Sequence, residues 1–341
     1  MNSSVAAIET RALFRCRICD FVAEHTEYRV KEMMFGSREE FDYFQCQNCQ
    51  CLQITEIPSD LSRHYPSSYY SFNFQKFHEP AKPLIRKRLE MWCSRQMIFD
   101  RGHKQSRFAR LFVTPPDSTK KIGPLLQACR VNSFQNSFLD VGCGSSSWWL
   151  SDLKSIGFSN LKGVDPFIDR DIEADGIEIK KMQLGEMSER FDIITLHHSL
   201  EHTPDQLSTL HQIREHLNPG GCCLIRIPVV SSDVWDQYGT DWVELDAPRH
   251  LFLHSMESIK LVAERAGLRL FHKSWDSTEF EFWGSEQYRR GIPLMSDDSF
   301  FIAPKRSSFT YREMASFREQ AENANHKGRG GRGLFFFESV D

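Results

Sequence analysis

Three sets of residues have types and spacings that chemistry can use. Cys16-Arg17-Ile18-Cys19 and Cys46-Gln47-Asn48-Cys49 repeat a C-x2-C spacing with twenty-six residues between the pairs. Each pair can fold into a tight knuckle presenting two thiolates, and two knuckles complete a tetrahedral zinc site. Four sulfur ligands leave no open position, so such a zinc is structural. Cys51 breaks the spacing and stays outside the set. In the second set, Phe138-Leu139-Asp140-Val141-Gly142-Cys143-Gly144-Ser145 runs an apolar stretch into a G-x-G turn. Glycines belong where a backbone turns sharply and a ligand comes close. Val164-Asp165 ends the next apolar run, where a carboxylate can take both hydroxyls of a ribose. The third set is imidazole: His197, His198 and His202 follow one apolar run, and His250 and His254 follow the aromatic residues Trp235, Tyr238 and Trp242. A neutral imidazole near pH 7 is suited to removing a proton, and buried aromatic rings can stack on a sugar or pack a lid.

The glycine turn discriminates between ligands. A dinucleotide needs a third glycine so that its pyrophosphate can sit on the helix N-terminus. Here that position is Ser147, followed by Trp148-Trp149. Asp140, two residues before Gly142, suits a cationic ligand bearing an amino acid. Both features favour S-adenosylmethionine (SAM).

These residues need strands that end at them. Short apolar runs at 137–141, 161–164, 177–182, 191–196 and 221–228 alternate with helical patterns. That alternation predicts a doubly wound α/β domain whose strands are buried on both faces. Runs at 268–275 and 334–340 supply two last strands, which makes seven. Ser255 caps a helix expected over 256–266, with Gly267 placed to end it. The chain thus divides into a zinc-ribbon module at 1–72, a basic helical linker at 73–130 and the α/β domain at 131–341.

At 341 residues there is room for this division, and 40% hydrophobic content is enough for a packed core. A net charge of −4 gives no overall reason to expect nucleic acid. The linker is the exception, with thirteen Lys/Arg against four Asp/Glu over 73–130. It reads either as a solvated helix surface or as a dock for an anionic acceptor such as a nucleotide diphosphate. No apolar run is long enough to span a membrane, and the first residues lack the apolar stretch of a secretory signal. The ten cysteines form no disulfide framework, which points to a reducing cytoplasm.

The segments LDVGCG (139–144), GVDP (163–166), FDIITLHHSLEH (191–202), LNPGG (217–221) and APRHLFLHS (247–255) carry a family resemblance. They resemble class I SAM-dependent methyltransferases with a Rossmann-like, seven-stranded sheet. The likeness is nearest to a bacterial group that joins a zinc ribbon to this domain and is associated with sugar and polysaccharide modification. The resemblance implies that Asp140, Gly142, Gly144 and Ser145 surround the methionine part of SAM and that Asp165 holds the ribose. It also implies that Leu184 and Glu186 border the adenine and that His197 covers the cofactor. Related sugar C-methyltransferases carry Tyr-x-Glu-His-x-x-Tyr near the acceptor; this chain keeps the histidine as His250 but has Arg249 before it.

That departure favours a hydroxyl acceptor on a sugar, nucleotide-sugar or saccharide precursor, with His250, His202 or His198 as the base. Arg249 can pair with a phosphate or with a neighbouring carboxylate. An RNA methyltransferase is the second reading, although the cysteine-bearing module is acidic. A non-enzymatic scaffold is the third. Gly328-Arg329-Gly330-Gly331-Arg332-Gly333 resembles an RNA-binding tract but reads better as a loop before the last strand.

Overall fold

The computed structural model describes residues 13–66, 83–99, 117–306 and 309–340. The N-terminal part opens with a small hairpin, β1 (Leu13–Arg15) and β2 (Val22–Glu24), followed by β3 (Thr26–Lys31), β4 (Glu40–Gln45) and β5 (Leu52–Ile54). Two equivalent turns present the cysteines. In the first, Cys16 N–H donates to Phe21 and Asp20 N–H to Cys16; in the second, Cys46 N–H donates to Cys51 and Gln50 N–H to Cys46, all at 2.9 Å. Asp20 and Gln50 both adopt positive φ, near 60°, to close the turns.

The remaining strands are β6 (Phe138–Val141), β7 (Leu161–Val164), β8 (Ile172–Ala174), β9 (Ile177–Lys180), β10 (Phe191–His197), β11 (Leu217–Pro228), β12 (Phe252–Leu253), β13 (Leu268–Trp275) and β14 (Arg332–Ser339). The main sheet has the order β13-β14-β11-β10-β6-β7-β9-β8. Its centre, from β11 through β10, β6 and β7 to β9, is parallel, and β14 runs antiparallel between β11 and β13. Seven strands follow the expected runs closely. The eighth is β8, which pairs antiparallel with β9 at the sheet edge. Its turn is Asp175-Gly176, both at positive φ; an Asp-Gly pair is a strong hairpin signal that the apolar runs alone do not reveal.

Helices cover both faces. Leu84–Phe99, Asp117–Ala128 and Trp148–Ile156 contribute Ile98, Ile122, Leu126, Trp149 and Leu153 to one core, where they meet Phe138 and Phe336. On the other face Leu210, Ile213, Ile259 and Val262 pack with Ile194, Leu196 and Phe337. This second core does not stop at the α/β part. It continues into Cys16, Ile18, Val30, Met33, Tyr43 and Leu52 of the N-terminal part. The N-terminal sheet takes its fourth strand from the far segment, in the order β12-β5-β4-β3. Ser255 Oγ donates to the Cys49 carbonyl at 2.6 Å, and Ile54 N–H to the Leu251 carbonyl at 3.0 Å. Residues 13–66 are therefore built into the α/β body rather than appended to it. Among the described residues no helix is long and apolar enough to cross a membrane.

Candidate active site

The glycine loop leaves β6 at the middle of the sheet. Gly142 and Gly144 have φ of +70° and +64°. A Cβ on Gly142 would lie 2.5 Å from Ser199 Cβ, so only glycine fits. Asp165, at the end of β7, ties the loop from the neighbouring strand: its Oδ2 accepts from Gly144 N–H and its Oδ1 from Phe167 N–H, both at 2.8 Å. Each oxygen keeps a second lone pair for a ligand. Asp140 is more inward. Its carboxylate accepts from Ser147 Oγ at 2.6 Å and Thr195 Oγ1 at 2.7 Å, and burial pushes its pKa up to about 6 despite those bonds. Ser147 in turn caps the helix Trp148–Ile156 through Leu150 N–H. Asp140 thus braces the loop from below, and Ser145 lies buried at its tip. Leu184 and Glu186 form a short turn after β9, in which Glu186 accepts from Gln183 N–H at 2.6 Å and the Leu184 carbonyl faces His216.

Beyond the carboxyl ends of β10 and β11 lies a second, more polar group. His197 packs against Trp148 and Trp149, with ring centroids 5.0 Å away in each case. Neither ring nitrogen has a hydrogen-bond partner among the described residues, and burial lowers its pKa to about 3. His198 adopts a positive φ of 52°, held by a bond from its N–H to the Arg226 carbonyl at 2.9 Å. Its Nδ1 lies 3.3 Å from Glu201 Oε1. Glu201 is 0% exposed, and neither carboxylate oxygen has a hydrogen-bond partner among the described residues. Burial drives its pKa well above the carboxylate range.

His202 and His250 face each other with ring centroids 4.7 Å apart. His202 Nδ1 lies 2.9 Å from the Arg249 carbonyl and 3.2 Å from the Tyr65 hydroxyl. His250 Nδ1 lies 2.7 Å from the Glu244 carbonyl, and its Nε2 is 4.0 Å from both Glu201 Oε1 and Asp246 Oδ2. A carbonyl can only accept, so each Nδ1 carries the proton and each Nε2 keeps its lone pair. Burial lowers both pKa values, that of His202 to about 3, and both rings are neutral at physiological pH. The expected histidines His198, His202 and His250 therefore do meet in space, from two segments about fifty residues apart. His254 does not join them.

The model of the methyltransferase domain family matches residues 102–273, half of the chain. The chain belongs to that family. It is a SAM-dependent methyltransferase. Among solved structures it is similar to an S-adenosylmethionine-dependent methyltransferase from Mesorhizobium loti, at 16% identity, covering 63% of this chain and 96% of that one with a TM-score of 0.39. It is also similar to the CcbJ methyltransferase from Streptomyces caelestis, at 13% identity, covering 66% and 96% with a TM-score of 0.36. No curated protein matches this chain.

Several side chains of the methyltransferase that look catalytic in sequence are structural. Arg249 is 0% exposed and pairs with Asp246 through Nε and Nη2, with Glu32 at 2.8 Å, and with the His64 carbonyl at 3.1 Å. The carboxylate reading of Arg249 holds and the phosphate reading does not. His254 is fully engaged, by Ser258 Oγ at 2.8 Å and Gln206 Oε1 at 2.7 Å. Trp235, Tyr238 and Trp242 are all buried: Trp235 packs on Tyr28 and Trp242, and Tyr238 on Phe282. None of the three rings is free to stack on a sugar.

Other buried polar residues near this group escape a motif search because they come from scattered segments. Arg226, on β11, and Arg332, on β14, both pair with Asp276, at 2.5 and 2.8 Å. Glu244 and Glu281 lie behind them; burial raises both pKa values, that of Glu281 to about 8. Arg332 belongs to the glycine- and arginine-rich tract, and Arg329 of the same tract pairs with Asp233 and Asp236. Both arginines are thus bound within the protein. So are Arg86, Lys120, Lys121 and Arg130 of the basic linker, each paired with a carboxylate. Arg88 and Arg95 are exposed on the helix Leu84–Phe99, and other basic residues of the linker, with Tyr69 and Tyr70, lie outside the described residues.

The four cysteines converge as their spacing implies. Cys16 Sγ is 3.6 Å from Cys49 Sγ, and Cys19 Sγ is 3.5 Å from Cys46 Sγ. Bonds of about 2.3 Å from zinc to sulfur in a tetrahedron give edges of about 3.8 Å. The group can hold a metal ion. Cys16 Sγ also accepts from Gln53 Nε2 at 3.1 Å and Ile18 N–H at 3.4 Å, the pattern that steadies a thiolate ligand.

Proposed function

We propose that this methyltransferase methylates a hydroxyl oxygen of a small saccharide-type acceptor, free or nucleotide-linked. SAM supplies a methyl group on a sulfonium. In the transfer an oxygen–carbon bond forms, the carbon–sulfur bond breaks with its electron pair going to sulfur, and the hydroxyl proton leaves to an imidazole. The observation that carries this reading is the buried polar group of Glu201, His198, His202 and His250 beyond the strand ends, beside the glycine loop. Neutral rings with an unprotonated nitrogen are what an alcohol needs there. The absence of a Tyr-x-Glu-His-x-x-Tyr pattern around His250 and the likeness of the motif set to polysaccharide-associated enzymes support a hydroxyl acceptor over a carbon one. Gly142, Gly144, Ser145 and Asp165 would hold the methionine and ribose parts of SAM, and Leu184 and Glu186 would border its adenine. We further infer that Cys16, Cys19, Cys46 and Cys49 hold a structural zinc ion.

The test is transfer from methyl-labelled SAM to a panel of nucleotide-sugars and methyl glycosides, with the product's methylated atom located by NMR. The expected product is an O-methyl ether. Replacing His250 or His202 by Ala should lower turnover by about 10²–10⁴-fold, the range for loss of a group that assists proton removal. Labelled carbon, labelled RNA, or wild-type turnover in both variants would overturn the proposal.

A further inference from the structure

We propose that Glu201, His202 and His250 form a second metal site, one that takes a divalent first-row transition cation within the acceptor pocket. The inference deepens the hydroxyl-methylation reading and rests on it for its chemical role, though not for the binding itself. One ligand atom from each of the three residues lies within 4.8 Å of the others. Glu201 supplies the decisive oddity. It is shut away from water, His198 Nδ1 stands 3.3 Å from its Oε1, and neither oxygen makes a hydrogen bond among the described residues; a buried carboxylate so placed is costly unless a cation completes it. The two histidines are prepared in the way metal ligands usually are. Each Nδ1–H is held by a backbone carbonyl, of Arg249 in one case and Glu244 in the other, which fixes the ring and leaves Nε2 as donor to an ion.

The surroundings also want a cation. Asp246 Oδ2 stands 4.0 Å from His250 Nε2, while Arg249 is already shared between Asp246 and Glu32, and Arg226, the cation that acts on Glu201, is paired with Asp276. An ion about 2.1 Å from each donor atom sets tetrahedral neighbours about 3.4 Å apart. The 4.0 Å between His250 Nε2 and Glu201 Oε1, and the other separations of the set, all within 4.8 Å, shorten toward this value as the side chains close on an ion. The backbone fixes the two segments against each other, with Leu251 N–H donating to the Glu201 carbonyl at 2.8 Å and Tyr43 Oη to the His250 carbonyl at 2.8 Å.

Two imidazoles and one carboxylate form a set that suits manganese, iron, cobalt or zinc and leaves coordination positions open. An acceptor hydroxyl entering an open position would become more acidic. His198, the one imidazole of the cluster outside the set, would then receive its proton.

The experiment uses the full chain with its cysteine group loaded with zinc, titrated with cobalt(II) and followed by metal analysis and visible absorption. The expected result is one cobalt per chain in addition to the zinc, with bands typical of nitrogen and oxygen ligands and no thiolate charge-transfer band. Glu201→Gln, close in shape to the wild type, should weaken cobalt binding at least about tenfold while S-adenosylhomocysteine affinity shows that the fold is intact. Wild-type protein that takes up no cobalt beyond the cysteine group would overturn the proposal. So would a bound cobalt that survives both Glu201→Gln and His250→Ala. No acceptor is present in this titration, so a negative result removes the ion and leaves hydroxyl methylation standing. A bound ion in an enzyme that methylates no hydroxyl would do the reverse.

Discussion

Asp165 shows how one side chain joins loop geometry to ligand affinity. Its two oxygens hold Gly144 N–H and Phe167 N–H, so it shapes the turn and faces the expected ribose together. We expect Asp165→Ala to weaken S-adenosylhomocysteine binding by about 1.5–3 kcal/mol, the worth of a hydrogen bond to a charged group. In calorimetric titration that is a Kd increase of roughly 10- to 150-fold. Unchanged affinity would remove Asp165 from the ribose site. The sequence exposes this residue because a strand end and a glycine turn mark it. It does not expose Glu201, since an acidic residue beside a histidine becomes informative only when burial removes its partners.

At the level of elements, the strands that carry the glycine loop and the first histidines could be read directly. β7 and β13 fall on the expected spans, and the helix Met256–Arg265 begins after Ser255 and ends before Gly267, which has a φ of +78°. Period-two and period-3.6 patterns are local, and so are caps. What could not be read is long-range pairing: β12 is two residues long and exists because β5 receives it. The same holds for the segment 246–250, where Arg249 reaches back to Glu32, a contact spanning 217 residues. Arg249→Met would leave Asp246 and Glu32 buried without their cation. Breaking a buried pair from one side costs about 3–5 kcal/mol, so chemical denaturation should show a loss of that size. A loss below about 1 kcal/mol would mean that water reaches these carboxylates and that the ion pair does not fasten the N-terminal part to the pocket loop.

For the whole molecule, the question is whether the cysteine group stabilises only its own knuckles. A ribbon on a flexible tether would melt alone when its metal is removed. Here the Cys16 and Cys49 side chains sit in the same core as Leu196, Phe252 and Val262, and the Cys49 carbonyl accepts from Ser255, the cap of the helix Met256–Arg265. Tyr43, in the strand just before the second knuckle, holds the His250 carbonyl. Losing the zinc proposed for the cysteine group should therefore loosen the segment around His250 as well. Zinc contributes about 10–16 kcal/mol in small finger peptides, comparable with the whole stability of an ordinary domain. Even a third of that, about 4 kcal/mol, should lower the melting temperature by roughly 6 °C in a chain of this size. Scanning calorimetry after chelation should show the main transition itself moving down, together with weaker binding of S-adenosylhomocysteine. Cys19→Ser, which removes one of the four ligands, should act in the same direction. If a small early transition splits off and the main one stays in place, the N-terminal part melts by itself, and the shared core does not couple it to the pocket.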